Sequence, residues 1–202
     1  MRAGRLADDA RGIVRAVIGG VGYRNLRDHS LGIRLSDELE PQARPPALLI
    51  EDLSYNPVAV GQWFADEARE TPILRAVFVS AVAREDGRPP GTICAYRWDR
   101  ILPSAEEIQR AVTDAVTGII LVDNTLIVTE WMRALPPEVI VVEVEPIEHE
   151  FGDELSPQVA SAYIDARRLV MLLAVDDAEV GALPMMPFGG GWMPTAAWKV
   201  VP

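Results

Sequence analysis

Cysteine is almost missing from this chain of 202 residues, and Cys94 is its single example. An internal disulfide and a metal site made of several cysteines are therefore excluded, and one thiol is ordinary for a protein of the reducing cytosol. Histidine is nearly as rare, with only His29 and His149. Two imidazoles are too few for a metal site made of histidine alone.

Positive charge and long apolar runs are also scarce. The chain has 19 Lys plus Arg against 30 Asp plus Glu, a net charge of -11, which predicts no nucleic-acid partner. No run approaches the roughly 20 apolar residues of a membrane-spanning helix, and the first residues lack the apolar core of a secretory signal. We therefore expect a cytoplasmic protein without membrane insertion.

Several motifs of common enzymes are absent. The sequence has no P-loop, no G-x-S-x-G elbow and no Ser-His-Asp order, so NTPases and ordinary nucleophilic hydrolases have no support. A dinucleotide fingerprint, G-x-G-x-x-G, is incomplete because Gly20-Val21-Gly22 is followed by Asn25 at its last position. This favours glycines that serve a sharp turn. Cys94 lies in a strand pattern, which predicts a buried, unreactive thiol.

Apolar runs and amphipathic segments alternate along most of the chain. Leu31, Leu35 and Leu39 recur every four positions, as in an amphipathic helix, and Ser104 with Glu107 forms a capping box that begins another. The order β-α-β-α-β-β-α-β-α predicts one three-layer α/β domain, a mostly parallel twisted five-stranded sheet with helices on both faces. The predicted strands are 13–18, 47–50, 74–82, 92–98 and 139–144; the other predicted helices are 58–68, 126–132 after a short strand or turn at 119–122, and 157–174.

Composition divides the chain into an N-terminal arm (1–12), the domain (13–176) and a C-terminal tail (177–202). The tail is rich in Gly, Pro, Met and Trp. Two interpretations of it stay open: an adaptable segment that docks a partner, or a cover for an exposed face of the same domain. Its large apolar residues are Met185, Met186, Phe188, Trp192, Met193 and Trp198.

In open α/β sheets, sites lie outside the carboxyl ends of the strands. The segments expected there are 19–32, 80–91 and 121–125. His29 falls in the first, close to a predicted helix N-terminus, where it is either a ligand-facing imidazole or an ordinary solvated histidine. His149 lies between Glu148 and Glu150 and is interpreted as a surface residue.

The first of these segments resembles the opening of the [NiFe]-hydrogenase maturation proteases, whose pattern is G-x-G-N-x-x-x-x-D-[DE]-x-x-G. Here it reads GVGYRNLRDHSLG from Gly20 to Gly32. The resemblance continues in VFVSAV (77–82), in PGTI (90–93), in VVEVEP (141–146) and in FGDELSPQV (151–159). The order and spacing of the segments match the family over most of residues 13–175.

The resemblance implies a compact α/β protease that removes a C-terminal peptide from the hydrogenase large subunit after nickel insertion. In the family an acidic residue, an Asp and a His sense that metal. At the matching positions this chain keeps Asp28 before the acidic position but has His29 at it, Ser80 for the Asp, and the region of Asp123-Asn124 for the His. Tyr23 replaces the Asn after the glycines. Ser80, a neutral hydroxyl, is not expected to bind metal.

Two hypotheses follow from these departures. In the first, His29 and Asp123 form a swapped imidazole-carboxylate pair that senses the nickel of the substrate, and Asp28 and His29 are the candidate catalytic residues. In the second, the chain has lost metal recognition and serves as an assembly chaperone or binding module. The predicted partner is a [NiFe]-hydrogenase large-subunit precursor or an assembly factor, the predicted reaction if active is endopeptidase hydrolysis, and no cofactor is expected to be bound permanently.

Overall fold

A six-stranded sheet forms the centre of the molecule, with strand order β2-β1-β3-β5-β4-β6. The computed structural model describes residues 15–84 and 86–188, so the predicted arm (1–12) and tail residues Trp192, Met193 and Trp198 lie outside the described residues. The strands are β1 (Ala16–Val21), β2 (Leu48–Asp52), β3 (Arg75–Ala81), β4 (Ile93–Trp98), β5 (Glu138–Val144) and β6 (Met185–Met186).

The central strands β1, β3 and β5 are parallel, and β4 runs antiparallel to β5. Every residue of β1 and β3 is buried, as expected for strands covered on both faces. The carboxyl ends of β1, β3 and β5 consequently meet at one edge of the sheet, called the carboxyl edge below. The register places Ser80 of β3 between Val21 of β1 and Glu143 of β5.

Helices cover both faces of the sheet, which confirms the predicted three-layer α/β class. Helices α1 and α5 share one apolar core with the sheet, and α2 and α4 share the other, with α3 packed on α4. In the described residues no single helix is long and apolar enough to cross a membrane. Taken as a pair, α3 and α4 have the length and composition of a membrane span, but their axes are bent by 113° at the break between them. The helices are α1 (Leu31–Leu39), α2 (Pro57–Glu70), α3 (Ala105–Thr117), α4 (Val122–Trp131), α5 (Pro157–Val175) and α6 (Asp177–Ala182).

Capping residues set the beginnings of two helices where the sequence predicts them. Ser104 and Glu107 form the full capping box of α3, and the Ser156 hydroxyl accepts from the N–H of Val159 at the start of α5. Helix α4 begins at Val122, earlier than predicted, so Asp123 and its neighbours form a first helical turn instead of an interruption.

The glycines after the first predicted strand serve close packing. Gly20 lies within β1, and a Cβ atom on it would stand 2.1 Å from the carbonyl oxygen of Gly32 in α1. A Cβ atom on Gly22 would stand 2.2 Å from the carbonyl oxygen of His29. The backbone of α1 therefore lies directly against β1, and these glycines have a structural reason that requires no nucleotide.

Residues 177–188 of the predicted tail pack onto the domain. They form α6 and the short strand β6, which pairs parallel with β4, so the sheet has six strands where the sequence predicts five. Val180 is buried in one core, and the Phe188 ring lies 4.4 Å from that of Trp98. This part of the tail covers a face of its own domain.

Candidate functional site

Three connections converge on the carboxyl edge. They are the β1–α1 segment (residues 22–30), the connection after β3 (82–92), and the β5–α5 loop (145–156). The α3–α4 connection (118–121) joins them, because the N–H of Ile120 donates to the hydroxyl of Tyr23. Two of the segments that the sequence assigns to a site, 19–32 and 80–91, therefore meet at this edge, and Tyr23 joins the first of them to the connection that leads into the third, 121–125.

Asp28 has no exposed surface. Both oxygens of its carboxylate accept hydrogen bonds from the β5–α5 loop. One oxygen accepts from the N–H of Ser156 at 2.7 Å. The other accepts from the N–H groups of Ile147 and Glu148 at 3.0 and 2.9 Å and from the Ser156 hydroxyl at 2.9 Å. Burial opposes ionisation, but the backbone bonds outweigh it and lower the pKa of Asp28. Asp28 is thus placed to position the loop, and its catalytic role stays a prediction.

Backbone bonds reinforce the same junction. The N–H of Arg27 donates to the carbonyl of Gly152, and the N–H of Gly152 donates to the carbonyl of Asn25. Asn25 and Arg27 adopt positive φ angles of 59° and 40°, which side chains other than glycine adopt at a cost. The Arg27 guanidinium also pairs with Glu148 at 2.6 Å. The β1–α1 segment and the β5–α5 loop, which both resemble segments of the maturation proteases, are therefore held together by backbone hydrogen bonds and an ion pair.

His29 is half-buried beside this junction. Burial lowers its pKa, the neighbouring His149 lowers it further, and Asp28 opposes both. A histidine with a lowered pKa is neutral near pH 7 and keeps one nitrogen free to accept a proton or bind a metal. His149 thus lies close enough to disfavour the charged form of His29.

Ser80 is buried at the end of β3, and its hydroxyl donates to the carbonyl of Ala81 at 3.3 Å. Cys94 is also buried, and burial raises the pKa of its thiol although Arg88 opposes the shift. A protonated, inaccessible thiol is a poor nucleophile. In the described part of the chain, neither Ser80 nor Cys94 donates to a histidine, so neither is activated as a nucleophile in that way.

Asp123, the second predicted metal ligand, is held by an arginine. Arg84 donates to both of its carboxylate oxygens, at 2.6 and 2.8 Å. The same guanidinium donates to Glu143, which is fully buried in β5. These bonds keep the guanidinium charged, because they outweigh burial and raise the pKa of Arg84.

Glu143 is the centre of a wider buried network. It also accepts from Arg88 at 3.2 Å and from the hydroxyl of Tyr96 at 2.8 Å. Burial and the nearby Glu143 charge raise the pKa of Tyr96, so its phenol keeps its proton. A buried charge without a partner is costly, and Glu143 has two guanidinium partners, Arg84 and Arg88. Sequence reasoning missed this network, although a glutamate inside the apolar strand VIVVEV signals it.

The donor set does not form a metal centre by itself. In residues 15–84 and 86–188 no group of three or more His, Cys, Asp or Glu side chains is arranged to hold a metal ion. Asp123 already binds a guanidinium through both oxygens, and Ser80 is a neutral hydroxyl. A metal ligand role for Asp123 stays a prediction and would require Arg84 to move away.

Several solved structures share this fold. The hydrogenase maturating endopeptidase HybD from Escherichia coli matches with a TM-score of 0.57 and 20% identity, over 79% of this chain and 92% of that one. A hydrogenase 2 maturation peptidase from a Thaumarchaeota archaeon matches with 0.53 and 22%, over 78% and 96%. An endopeptidase from Escherichia coli matches with 0.59 and 19%, over 86% and 98%. No family model and no curated protein matches the chain.

These likenesses confirm the fold that the motifs predict. The chain has the α/β fold of the hydrogenase maturation endopeptidases, and the match extends over nearly the whole length of the solved structures. Function and site residues do not follow from fold alone.

Proposed function

We propose that this protein acts on the C-terminal segment of a nickel-loaded [NiFe]-hydrogenase large-subunit precursor in the cytoplasm, as a maturation endopeptidase. The supporting observation is that the fold covers at least 92% of each of the three similar peptidase and endopeptidase chains. The convergence of the family-like segments at one edge, joined through Asp28 and Ser156, agrees with it.

The precursor's metal-bearing end would meet the carboxyl edge near His29. Nickel arrives with the substrate in this proposal. The neutral imidazole of His29 can donate a lone pair to nickel or accept a proton from the attacking water. Asp28 contributes indirectly, because it fixes the segment on which His29 lies.

Hydrolysis in this proposal needs no covalent intermediate. The oxygen of a water molecule adds to the scissile carbonyl carbon, and the C–N bond breaks. The water's proton passes to the leaving amine by way of the imidazole. This agrees with a buried Cys94 and with a Ser80 hydroxyl that donates to the carbonyl of Ala81.

A non-catalytic assembly chaperone is the second candidate. The observation that favours it is the Arg84–Asp123 pair together with Ser80, which leaves the described residues without a three-ligand metal site. Such a protein would bind the precursor at the same edge and release it uncut.

Incubation with purified nickel-loaded precursor, followed by intact-mass spectrometry and gel filtration, separates the two candidates. Loss of a C-terminal peptide supports the endopeptidase, and stable co-elution at unchanged mass supports the chaperone. If every hydrogenase precursor encoded in the same genome shows neither cleavage nor co-elution, both candidate functions are refuted. For an active enzyme, His29→Ala should abolish cleavage while His149→Ala, which removes the only other imidazole, preserves it.

A further inference from the structure

The β5–α5 loop presents large apolar side chains to solvent. Phe151 is 83% exposed and Ile147 is 50% exposed. The loop is not loosely attached, because Asp28 accepts from its backbone at both ends and Gly152 is bonded to the β1–α1 segment. Rigidly held, exposed apolar side chains are typical of a surface that another molecule covers.

The α3–α4 connection, which lies on the other side of the β1–α1 segment, also exposes apolar side chains. Ile119 is 43% exposed and Leu121 is 47% exposed. This connection contacts the β1–α1 segment through the bond between Ile120 and Tyr23. The segment that carries His29 is therefore flanked by exposed apolar side chains on two sides.

The loop is also acidic. Glu150, Asp153 and Glu154 are exposed, and no described residue forms an ion pair with them, whereas Glu148 pairs with Arg27. The chain as a whole has a net charge of -11. A negatively charged surface attracts a positively charged partner and repels a second copy of the same chain.

We infer that the β5–α5 loop, the β1–α1 segment and the α3–α4 connection form a docking surface for an extended segment that carries both basic and apolar side chains. The inference rests on the proposed function, in which this segment belongs to the large-subunit precursor. Apolar side chains of the segment cover Phe151 and Ile147, and its basic side chains face Glu150 and Glu154. The surface thereby selects the partner by charge and places it over His29.

Binding of labelled nickel-loaded precursor, measured by fluorescence anisotropy, tests the apolar part. The double variant Ile147→Ser, Phe151→Ser should weaken binding roughly tenfold or more. Trp131→Ser is the matched control, because Trp131 is 62% exposed at the far end of α4, and it should leave affinity within about twofold. Equal affinity of wild type and double variant overturns the inference.

The charged part has its own pair of variants. Glu150→Gln, Glu154→Gln should weaken binding and reduce its salt dependence. Glu40→Gln, Glu70→Gln makes the same change in net charge at exposed positions following α1 and ending α2, at the opposite edge of the sheet. Equal losses in both pairs would mean that only overall charge matters and would refute a local acidic site.

Model peptides keep this test independent of the hydrogenase assignment. Labelled 14-residue peptides alternating Leu with Arg, or Leu with Glu, are titrated with wild type and the Ile147→Ser, Phe151→Ser variant. The inference requires that the Arg peptide binds wild type more tightly than it binds the variant, and that the Glu peptide binds neither. If these peptides behave as required while the precursor does not bind, the proposed function fails and the surface chemistry stands.

Discussion

Asp28→Asn tests the hydrogen bonds by which Asp28 connects the β1–α1 segment to the β5–α5 loop. The substitution keeps the size of the side chain but removes its charge and replaces one acceptor oxygen by an N–H₂ donor. The carboxylate accepts four hydrogen bonds, three of them from backbone N–H groups and one from the Ser156 hydroxyl. If the amide oxygen takes the place of the more heavily bonded oxygen, the amide nitrogen faces the N–H of Ser156, and that buried donor loses its acceptor.

The expected loss of stability follows from this count. An unsatisfied buried N–H costs about 1–3 kcal/mol, and the remaining bonds weaken because they are no longer made to a charged acceptor. We expect the free energy of unfolding to fall by about 2–4 kcal/mol. For a domain of this size that lowers Tm by roughly 5–15 °C.

The same hydrogen bonds to Asp28 make the free energy of unfolding depend on pH. The folded pKa of Asp28 lies below its ordinary value, so its contribution is complete above the unfolded pKa of about 3.9 and is lost as pH falls through the folded pKa. Urea unfolding of wild type and Asp28→Asn should therefore differ by a constant amount between about pH 5 and 7. The difference should narrow below about pH 4.

Asp37→Asn is the matched control. Asp37 is a half-exposed aspartate paired with the exposed Arg24, and breaking such a surface pair costs about 0–1 kcal/mol. The positioning role of Asp28 is refuted if Asp28→Asn is no more destabilising than Asp37→Asn. It is also refuted if the difference in unfolding free energy between wild type and Asp28→Asn does not narrow below about pH 4.

Three further predictions concern the packing around the site. Gly32→Ala should destabilise the fold by roughly 3 kcal/mol or more in thermal unfolding, because its Cβ would lie 2.5 Å from carbonyl oxygens of both β1 and β3, whereas Gly181→Ala has open space and should not destabilise it. Cys94 should react with iodoacetamide at pH 8 only when urea unfolds the protein; rapid labelling of the folded protein would contradict its burial and raised pKa. Tyr96→Phe should cost about 1–2 kcal/mol, because it removes a donor to the buried Glu143, and an unchanged Tm would contradict this.

The fold could be predicted from sequence because its signals are local. The β3 and β5 segments are short, mostly apolar runs, which is the pattern typical of buried parallel strands. The amphipathic spacing of α1 and the capping box at Ser104 are equally local. The start of α4 was missed because Leu121 provides no side-chain cap, and the polar run Asp123-Asn124-Thr125 is typical of a turn. There Thr125 bonds back to the Leu121 carbonyl within the helix.

The interactions of the candidate site were less accessible because its partners are distant in sequence. Arg84 and Glu143 are 59 residues apart, and Asp28 and Ser156 are 128 apart. Pattern reasoning identifies the edge of the sheet where these residues meet, but it does not pair them. The sixth strand was missed for a related reason, since a two-residue strand has no periodicity and β6 is defined only by its bonds to β4.

The Arg84 network bears on the two candidate functions, because it determines whether Asp123 is available to bind a metal. Arg84 and Arg88 bring two positive charges among the carboxylates of Asp86, Asp123 and Glu143. Removing one member of such a network leaves buried charges unpaired and costs several kcal/mol, so Arg84 does not leave Asp123 without compensation. The proposed endopeptidase would therefore depend more on docking of the surrounding polypeptide than a site with several metal ligands does, whether His29 binds the substrate's nickel or accepts the water's proton.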